Sequence, residues 1–245
     1  GQTGNEGIAF RDRDHALGDI VHAEPYFLKA PKEEFTEEEY PAFKLKHTTT
    51  TPRQGVIYMG ANDGMLHAFN AVTGQELWAY VPKMLLPDLY RLADENYSDN
   101  HRFYVDSTPE TMDICVAPDP AGAATCTWKT ILVSGLGAGG RGFYALDITD
   151  PLNPKAMWEI CSDSARCAIS DADIGLSYAR PVVTKRDFDG KWVVLITSGL
   201  NNVSPGDGKG YLYVLDAVTG AVLQKVTTGV GNTSTCTAPT LCGPS

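Results

Sequence analysis

The chain lacks any run approaching the roughly 18 to 20 apolar residues that cross a membrane as a helix, and it carries no signal peptide in this numbering. Basic residues are few: 20 Lys and Arg stand against 30 Asp and Glu, a net charge of −10 in 245 residues. Phosphate binding needs concentrated positive charge, so a nucleic-acid partner is excluded. No Cys-x2-Cys couple occurs, and the histidines, His15, His22, His47, His67 and His101, show no metal-ligand spacing, which argues against zinc. There is no Gly-x-Ser-x-Gly elbow, and scattered Ser and Asp residues do not make a triad, so no catalytic residue is assigned. Gly135-Leu-Gly137-Ala-Gly139-Gly140 has dinucleotide-loop spacing, but Phe143-Tyr-Ala-Leu-Asp147 reads as another strand where a helix is required, so no cofactor-binding residue is assigned either. Asp187-Phe-Asp189-Gly190 resembles part of a calcium loop, yet Lys185 and Ile196 would fill its first and twelfth positions. Asp187 and Asp189 stay as weak calcium candidates beside a hairpin reading, with Asp171 and Asp173 weaker still.

What the chain has is an internal repeat. Gly60-Ala-Asn-Asp-Gly64-Met-Leu-His-Ala-Phe-Asn70-Ala-Val-Thr-Gly74 returns as Gly210-Tyr-Leu-Tyr-Val-Leu-Asp216-Ala-Val-Thr-Gly220, with a looser copy at Gly140-Arg-Gly-Phe-Tyr-Ala-Leu-Asp147-Ile-Thr149. Ile57-Tyr-Met59, Ile131-Leu-Val133 and Val193-Val-Leu-Ile196 are short apolar runs with strand character, and Gly60, Gly135 and Gly199 after them are read as turn positions. Val-Thr-Gly reads as a tight turn in which Gly74 or Gly220 supplies positive φ and Asn70 or Asp216 holds the loop. Glu24-Pro25, Thr108-Pro109 and Arg180-Pro181 suit strand starts. Four strands per unit on this repeat length predict an all-β chain of β-propeller-like blades, about three, spanning roughly 17–81, 101–160 and 173–228 of a single partial domain over 1–245. Propellers close with about four to eight blades, so the chain reads as a piece of a longer protein. Between the first two units, residues 82–100 predict a short inserted helix, with Leu85, Leu89 and Leu92 at helical spacing and Pro87 in its first turn. The acidic run 33–39 reads as a solvated loop. Trp78, Trp128, Trp158 and Trp192 occupy blade-repeat positions, where core packing accounts for them.

Six cysteines form three sequence-local couples, Cys115 with Cys126, Cys161 with Cys167 and Cys236 with Cys242, although six allow 15 connectivities and spacing does not choose among them. Disulfides at these places imply an oxidising compartment, periplasm or cell surface.

Residues 64–78 resemble the blade motif of quinoprotein dehydrogenases and of outer-membrane assembly scaffolds. A more specific set is similar to the PilC/PilY family of type IV pilus-associated adhesins. It comprises Leu17-Gly-Asp-Ile-Val-His-Ala-Glu-Pro25, with Ala-Glu where that family usually has Ser before Pro, and His101-Arg-Phe-Tyr-Val-Asp-Ser-Thr-Pro109. Gly135 to Asp147, with Gly-Ala-Gly-Gly-Arg-Gly intact, Asp173-Ile-Gly175 with Pro181, Gly190-Lys-Trp-Val193 and Tyr211 to Gly220 follow in the family's order. The resemblance implies a modified β-propeller without catalysis, exported to the cell surface, pilus tip or outer membrane. It implies work in pilus extension with minor pilins and attachment to a host-cell surface receptor. The family's calcium loop lies in a later blade and matches no position here, so calcium is an expectation for the full-length protein alone. The rival readings are an assembly scaffold or a fragment of a periplasmic dehydrogenase using pyrroloquinoline quinone. That enzyme class implies an adjacent Cys-Cys pair, which this sequence does not contain.

Overall fold

In the computed structural model, which describes residues 10–11, 15–37, 39–116 and 126–231, the repeats fold into three successive sheets. The first holds β1 (Tyr26–Leu28), β2 (Val56–Ala61), β3 (Met65–Asn70) and β4 (Glu76–Tyr80). The second holds β5 (Glu110–Val116), β6 (Thr127–Gly135), β7 (Gly142–Asp147), β8 (Lys155–Cys161) and β9 (Ile169–Ser170). The third holds β10 (Val182–Lys185), β11 (Trp192–Thr197), β12 (Lys209–Asp216) and β13 (Val222–Gly231). Strands pair in sequence order, giving the up-and-down meander of a propeller blade. Pro25, Pro109 and Pro181 each stand just before the first strand of a sheet, where no ladder hydrogen bond is lost. The second sheet has one strand more than its repeat predicts: the Cys161–Cys167 disulfide folds the chain back so that β9 runs parallel to β8.

Alternation along the strands of the second sheet feeds two cores. Leu132, Tyr144 and Leu146 join Tyr58, Leu66 and Leu85 between the first and second sheets. Ile131, Val133, Phe143 and Ala145 join Val183, Val194 and Tyr213 between the second and third. The second sheet is thus covered on both faces, while all ten residues of β13 are exposed.

Two segments differ from their sequence expectation. Residues Lys83–Ala93 form a 3-10 helix and not an α-helix, because Pro87 sits inside it, donates no N–H and crowds the preceding turn. The three leucines at helical spacing still face inward, Leu85 buried and Leu89 and Leu92 packed against the first core, while Leu86 and Tyr90 are exposed. The long connection from β1 to β2 is not simply a solvated loop. Phe35, in the middle of the acidic run, stacks on Trp128 at 5.3 Å between ring centroids and meets Trp192 edge-on at 5.2 Å. A short helix then follows, α1 (Tyr40–Leu45), continuing as a π turn over Lys46–Thr50. Tyr40 packs on Trp128 at 4.5 Å, so an excursion from the first sheet is anchored on the second and third. Glu34 and Glu37 meet their charge demands at Lys44 and Lys185, each at 2.5 Å.

Candidate functional site

The side chains that position anything outside a single sheet lie at the two ends of the strands. At one end, the turn between β2 and β3 receives two lead-in segments. Asn62 donates from its backbone N–H to the Asp19 carbonyl (2.9 Å) and from Nδ2 to Asp19 Oδ2 (2.9 Å), while its Oδ1 accepts the Tyr104 N–H (3.1 Å). Asp63 Oδ2 accepts the Gly18 N–H at 2.8 Å. Asp106 takes the His22 N–H at 3.0 Å and lies 2.6 Å from its Nδ1, and Thr108 Oγ1 accepts the Glu24 N–H at 2.8 Å. Ser177 repeats the device at the next sheet: its hydroxyl accepts the Leu136 N–H and donates to the Gly142 carbonyl, both at 2.8 Å.

This end corrects the turn reading of two glycines. Gly60 lies inside β2 and Gly135 closes β6, neither with positive φ. A Cβ on Gly60 would stand 2.5 Å from the Val105 carbonyl oxygen, and one on Gly135 would stand 2.6 Å from that of Ser177. Both are glycine because the lead-in segment of the following sheet passes directly over them. Gly199, by contrast, has φ 73° and fits the turn reading.

Beneath Asp63 lies His67, buried, its Nε2 3.1 Å from both Asp63 oxygens and its Nδ1 2.7 Å from Glu76 Oε1. Burial opposes the imidazolium, but the two carboxylates outweigh it and raise the ring above its ordinary value. Asp63 is likewise pulled down despite its burial, by His67 and the Gly18 N–H.

At the opposite end, Asn70 and Asp216 hold the turns as the repeat predicts, and Asp147 holds one in the looser copy as well. Asn70 Oδ1 accepts the N–H groups of Val72 (2.9 Å) and Thr73 (3.1 Å), and Asp216 Oδ1 those of Val218 (3.0 Å) and Thr219 (2.9 Å). Asp147 does the same for Thr149 at 3.0 Å. Gly74 and Gly220 complete two of these turns at φ 74° and 73°. The tryptophans of the fourth strands do more than fill the core. Trp78 Nε1 donates to the Pro151 carbonyl at 2.8 Å, and Trp158 Nε1 to the Ala217 carbonyl at 3.0 Å, so the fourth strand of each of the first two sheets grips the turn of the next sheet.

At this end a polar chain runs inward: Arg53 Nη2 donates to Thr130 Oγ1 (2.8 Å), whose hydroxyl donates to Asp113 Oδ1 (2.5 Å), and Tyr40 donates to Asp113 Oδ2 (2.8 Å). No sequence motif marked Arg53, Thr130 or Asp113. Their only signal is polar residues within, or just before, otherwise apolar strand runs.

The paired cysteines Cys115–Cys126 and Cys161–Cys167 are bonded, with Cα atoms 5.5 and 5.9 Å apart, while Cys236 and Cys242 lie outside the described residues. Asp187 and Asp189 sit in the β10–β11 hairpin turn, where Asp189 gives both oxygens to the Arg186 guanidinium. Asp171 and Asp173 share the Lys225 ammonium, at 2.9 and 2.5 Å. Among the described residues no three His, Cys, Asp or Glu side chains converge as metal ligands, and no helix is long and apolar enough to cross a membrane. The glycine run 135–142 joins β6 to β7 with no helix after it.

The family defined as the PilY1 β-propeller domain matches residues 17–244. The chain belongs to the PilY1 β-propeller family. Over 91% of its length it is 35% identical to the type IV pilus biogenesis factor PilY1 of Pseudomonas aeruginosa PAO1 and 34% identical to a PilY1 homolog of Xylella fastidiosa. It spans only 18% and 17% of those relatives. The crystal structure of the P. aeruginosa PilY1 C-terminal domain superposes with a TM-score of 0.61 at 30% identity, covering 84% of this chain and 38% of that one. The PilY1 propeller is therefore the fold in which the paired lead-in segments and the tryptophan grips operate.

Proposed function

We propose that this chain is a non-catalytic propeller segment of a type IV pilus biogenesis factor, working outside the cytoplasm as a rigid support for pilus extension and surface attachment. The observation that carries the reading is the family match across residues 17–244, with relatives of that name at about one-third identity. The bonded cysteine pairs fit an oxidising compartment. Minor pilins and the pilus-tip complex are the partners this reading gives it, and a host-cell surface receptor is its finer extension. Loops held by disulfides and by cross-sheet hydrogen bonds are where recognition belongs on such a scaffold.

The test is genetic. The gene is deleted and restored with and without this segment, surface pili are counted, and sheared pili are probed for the protein. Loss of pili that only the complete version restores, with the protein in the pilus fraction, is the expected result. Normal piliation in every strain would refute the role.

A further inference from the structure

Between the turn ends of the first two sheets opens a cleft of about 870 Å³. Its rim carries Phe27, Val72 and Leu152, which are 60%, 87% and 53% exposed, so three large apolar side chains surround one opening. Its wall carries Lys29, Lys46 and Arg53 in a chain whose net charge is −10. Neither lysine has an ion-pair partner among the described residues. Arg53 is only 5% exposed, its Nε and Nη1 are closed off from solvent without a hydrogen-bond partner, and its guanidinium lies 5.9 Å from the Phe43 ring centroid, so it lends the wall charge and not contacts. Its hydrogen-bond link to a carboxylate, Asp113, runs through the Thr130 hydroxyl. The carboxylate on the wall, Asp150, is already used, accepting the Leu152 N–H at 3.0 Å and the Asn153 side chain at 2.9 Å. His47, also on the wall, is depressed to about 4, by burial first and then by the charges of Arg53 and Lys46.

We propose that this cleft docks an acidic peptide segment of a partner protein, seating one carboxylate against Lys46, in the field of the buried Arg53, and flanking apolar side chains against Phe27, Val72 and Leu152. Among the described residues, a carboxylate there meets an ammonium with no ion-pair partner, backed by a buried guanidinium that no direct ion pair offsets. A phosphate dianion is disfavoured by the fixed charge of Asp150 on the same wall, and the apolar rim gives it nothing to bury. The carboxylate is an Asp or Glu side chain or a chain terminus, which share this chemistry. The inference does not depend on the pilus role, because binding is read on purified protein.

The experiment is fluorescence anisotropy with the complete protein. The probes are a fluorescein-labelled, end-blocked pentapeptide with aspartate between leucine and phenylalanine, its asparagine counterpart, and a version with a free C-terminus and no acidic side chain. A carboxylate-bearing peptide is expected to bind about tenfold or more tighter than the asparagine peptide, and Lys46→Glu and Val72→Glu to weaken it by a similar factor. Lys191→Glu, in the distant β10–β11 hairpin, leaves binding unchanged. Both test positions are exposed, so these variants keep the fold. The tighter of the two carboxylate peptides identifies the source. Absence of binding at millimolar peptide, equal binding of the asparagine peptide, indifference to both substitutions, or displacement by inorganic phosphate at the peptide's own affinity would each overturn the proposal.

Discussion

Gly74 and Gly220 occupy the same position of the same turn, at φ 74° and 73°, yet their surroundings differ. A Cβ on Gly74 meets nothing within 4 Å, whereas one on Gly220 would stand 2.7 Å from Cγ and 2.8 Å from Cδ2 of Trp158. Alanine at either site bears the same left-handed penalty, about 1 to 2 kcal/mol, partly offset by about 0.4 to 1 kcal/mol from the stiffer unfolded chain. Gly74→Ala should therefore cost about 1 kcal/mol. Gly220→Ala adds overpacking of about 1 to 3 kcal/mol, and a displaced indole also loses its bond to the Ala217 carbonyl, about 1 kcal/mol more. The gap between the two variants should be about 2 to 4 kcal/mol, all of it owed to the grip of the second sheet on the third.

Urea unfolding followed by far-UV circular dichroism reads both variants, with a common m-value required before midpoints are compared. A Trp158→Ala background supplies the closing arm of a double-mutant cycle: with the indole gone, Gly220→Ala should cost no more than Gly74→Ala. Equal destabilisation by the two glycine substitutions in the wild-type background, within about 0.5 kcal/mol, would refute the claim that Trp158 and the 217–220 turn form a tight seam.

His67 gives a pH prediction. Its pKa is raised above 6.5 in the fold, so its contribution is complete below the unfolded value and lost as pH rises through the folded one. The stability difference between wild type and His67→Gln should therefore shrink on going from pH 6 to pH 9, as read by thermal melts, and a constant difference would contradict the paired imidazolium. Asp63, lowered below 3.8, has the opposite sign: its contribution is present above the unfolded value and lost as pH falls through the folded one, so Asp63→Asn should lose its effect only in strong acid. Ser177→Ala leaves the Leu136 N–H and the Gly142 carbonyl without their buried partner, for about 2 to 4 kcal/mol by urea unfolding. A cost under about 0.5 kcal/mol would mean the seam relaxes around the change. Replacing Cys161 and Cys167 together by Ala should cost about 2 kcal/mol by the same assay, from the short loop they close, and unchanged stability would show that β9 holds without the bond.

The turns at Asn70 and Asp216 were legible in the sequence because their side-chain hydrogen bonds stay within a stretch of five residues. The strand starts after Pro25, Pro109 and Pro181 were legible for the same reason. What sequence reading missed is contact across sheets. Gly60 after an apolar run looks like a turn until Val105, 45 positions away, is seen lying on it. Phe35 among glutamates looks like a chance apolar residue in a charged loop until Trp128 and Trp192 are found around it. Leu85, Leu89 and Leu92 announce an inward face correctly, but their spacing alone does not weigh Pro87 against α-helical hydrogen bonding. Arg53 and Thr130 carry no motif at all, because a buried polar chain is defined by its partners and not by its spacing.

The same cross-sheet contacts make the seams unequal. Trp78 lies opposite Ala68 and Trp158 opposite Ala145, each just beside a bulge, and each donates to a carbonyl of the next sheet. In the third sheet the corresponding position opposite Val214 is Gln224, again beside a bulge. An indole only donates, so the first two seams demand a carbonyl at one place, whereas a glutamine amide donates and accepts. Around Gln224 the strand presents Val222, Leu223 and Val226, all exposed. A turn like the one that satisfies Trp158 would use only the donor half of the Gln224 amide, so the third sheet's fourth strand is not chemically equivalent to the other two. A difference of this kind at the fourth strand sets a cost on a wrong neighbour as well as a gain on the right one.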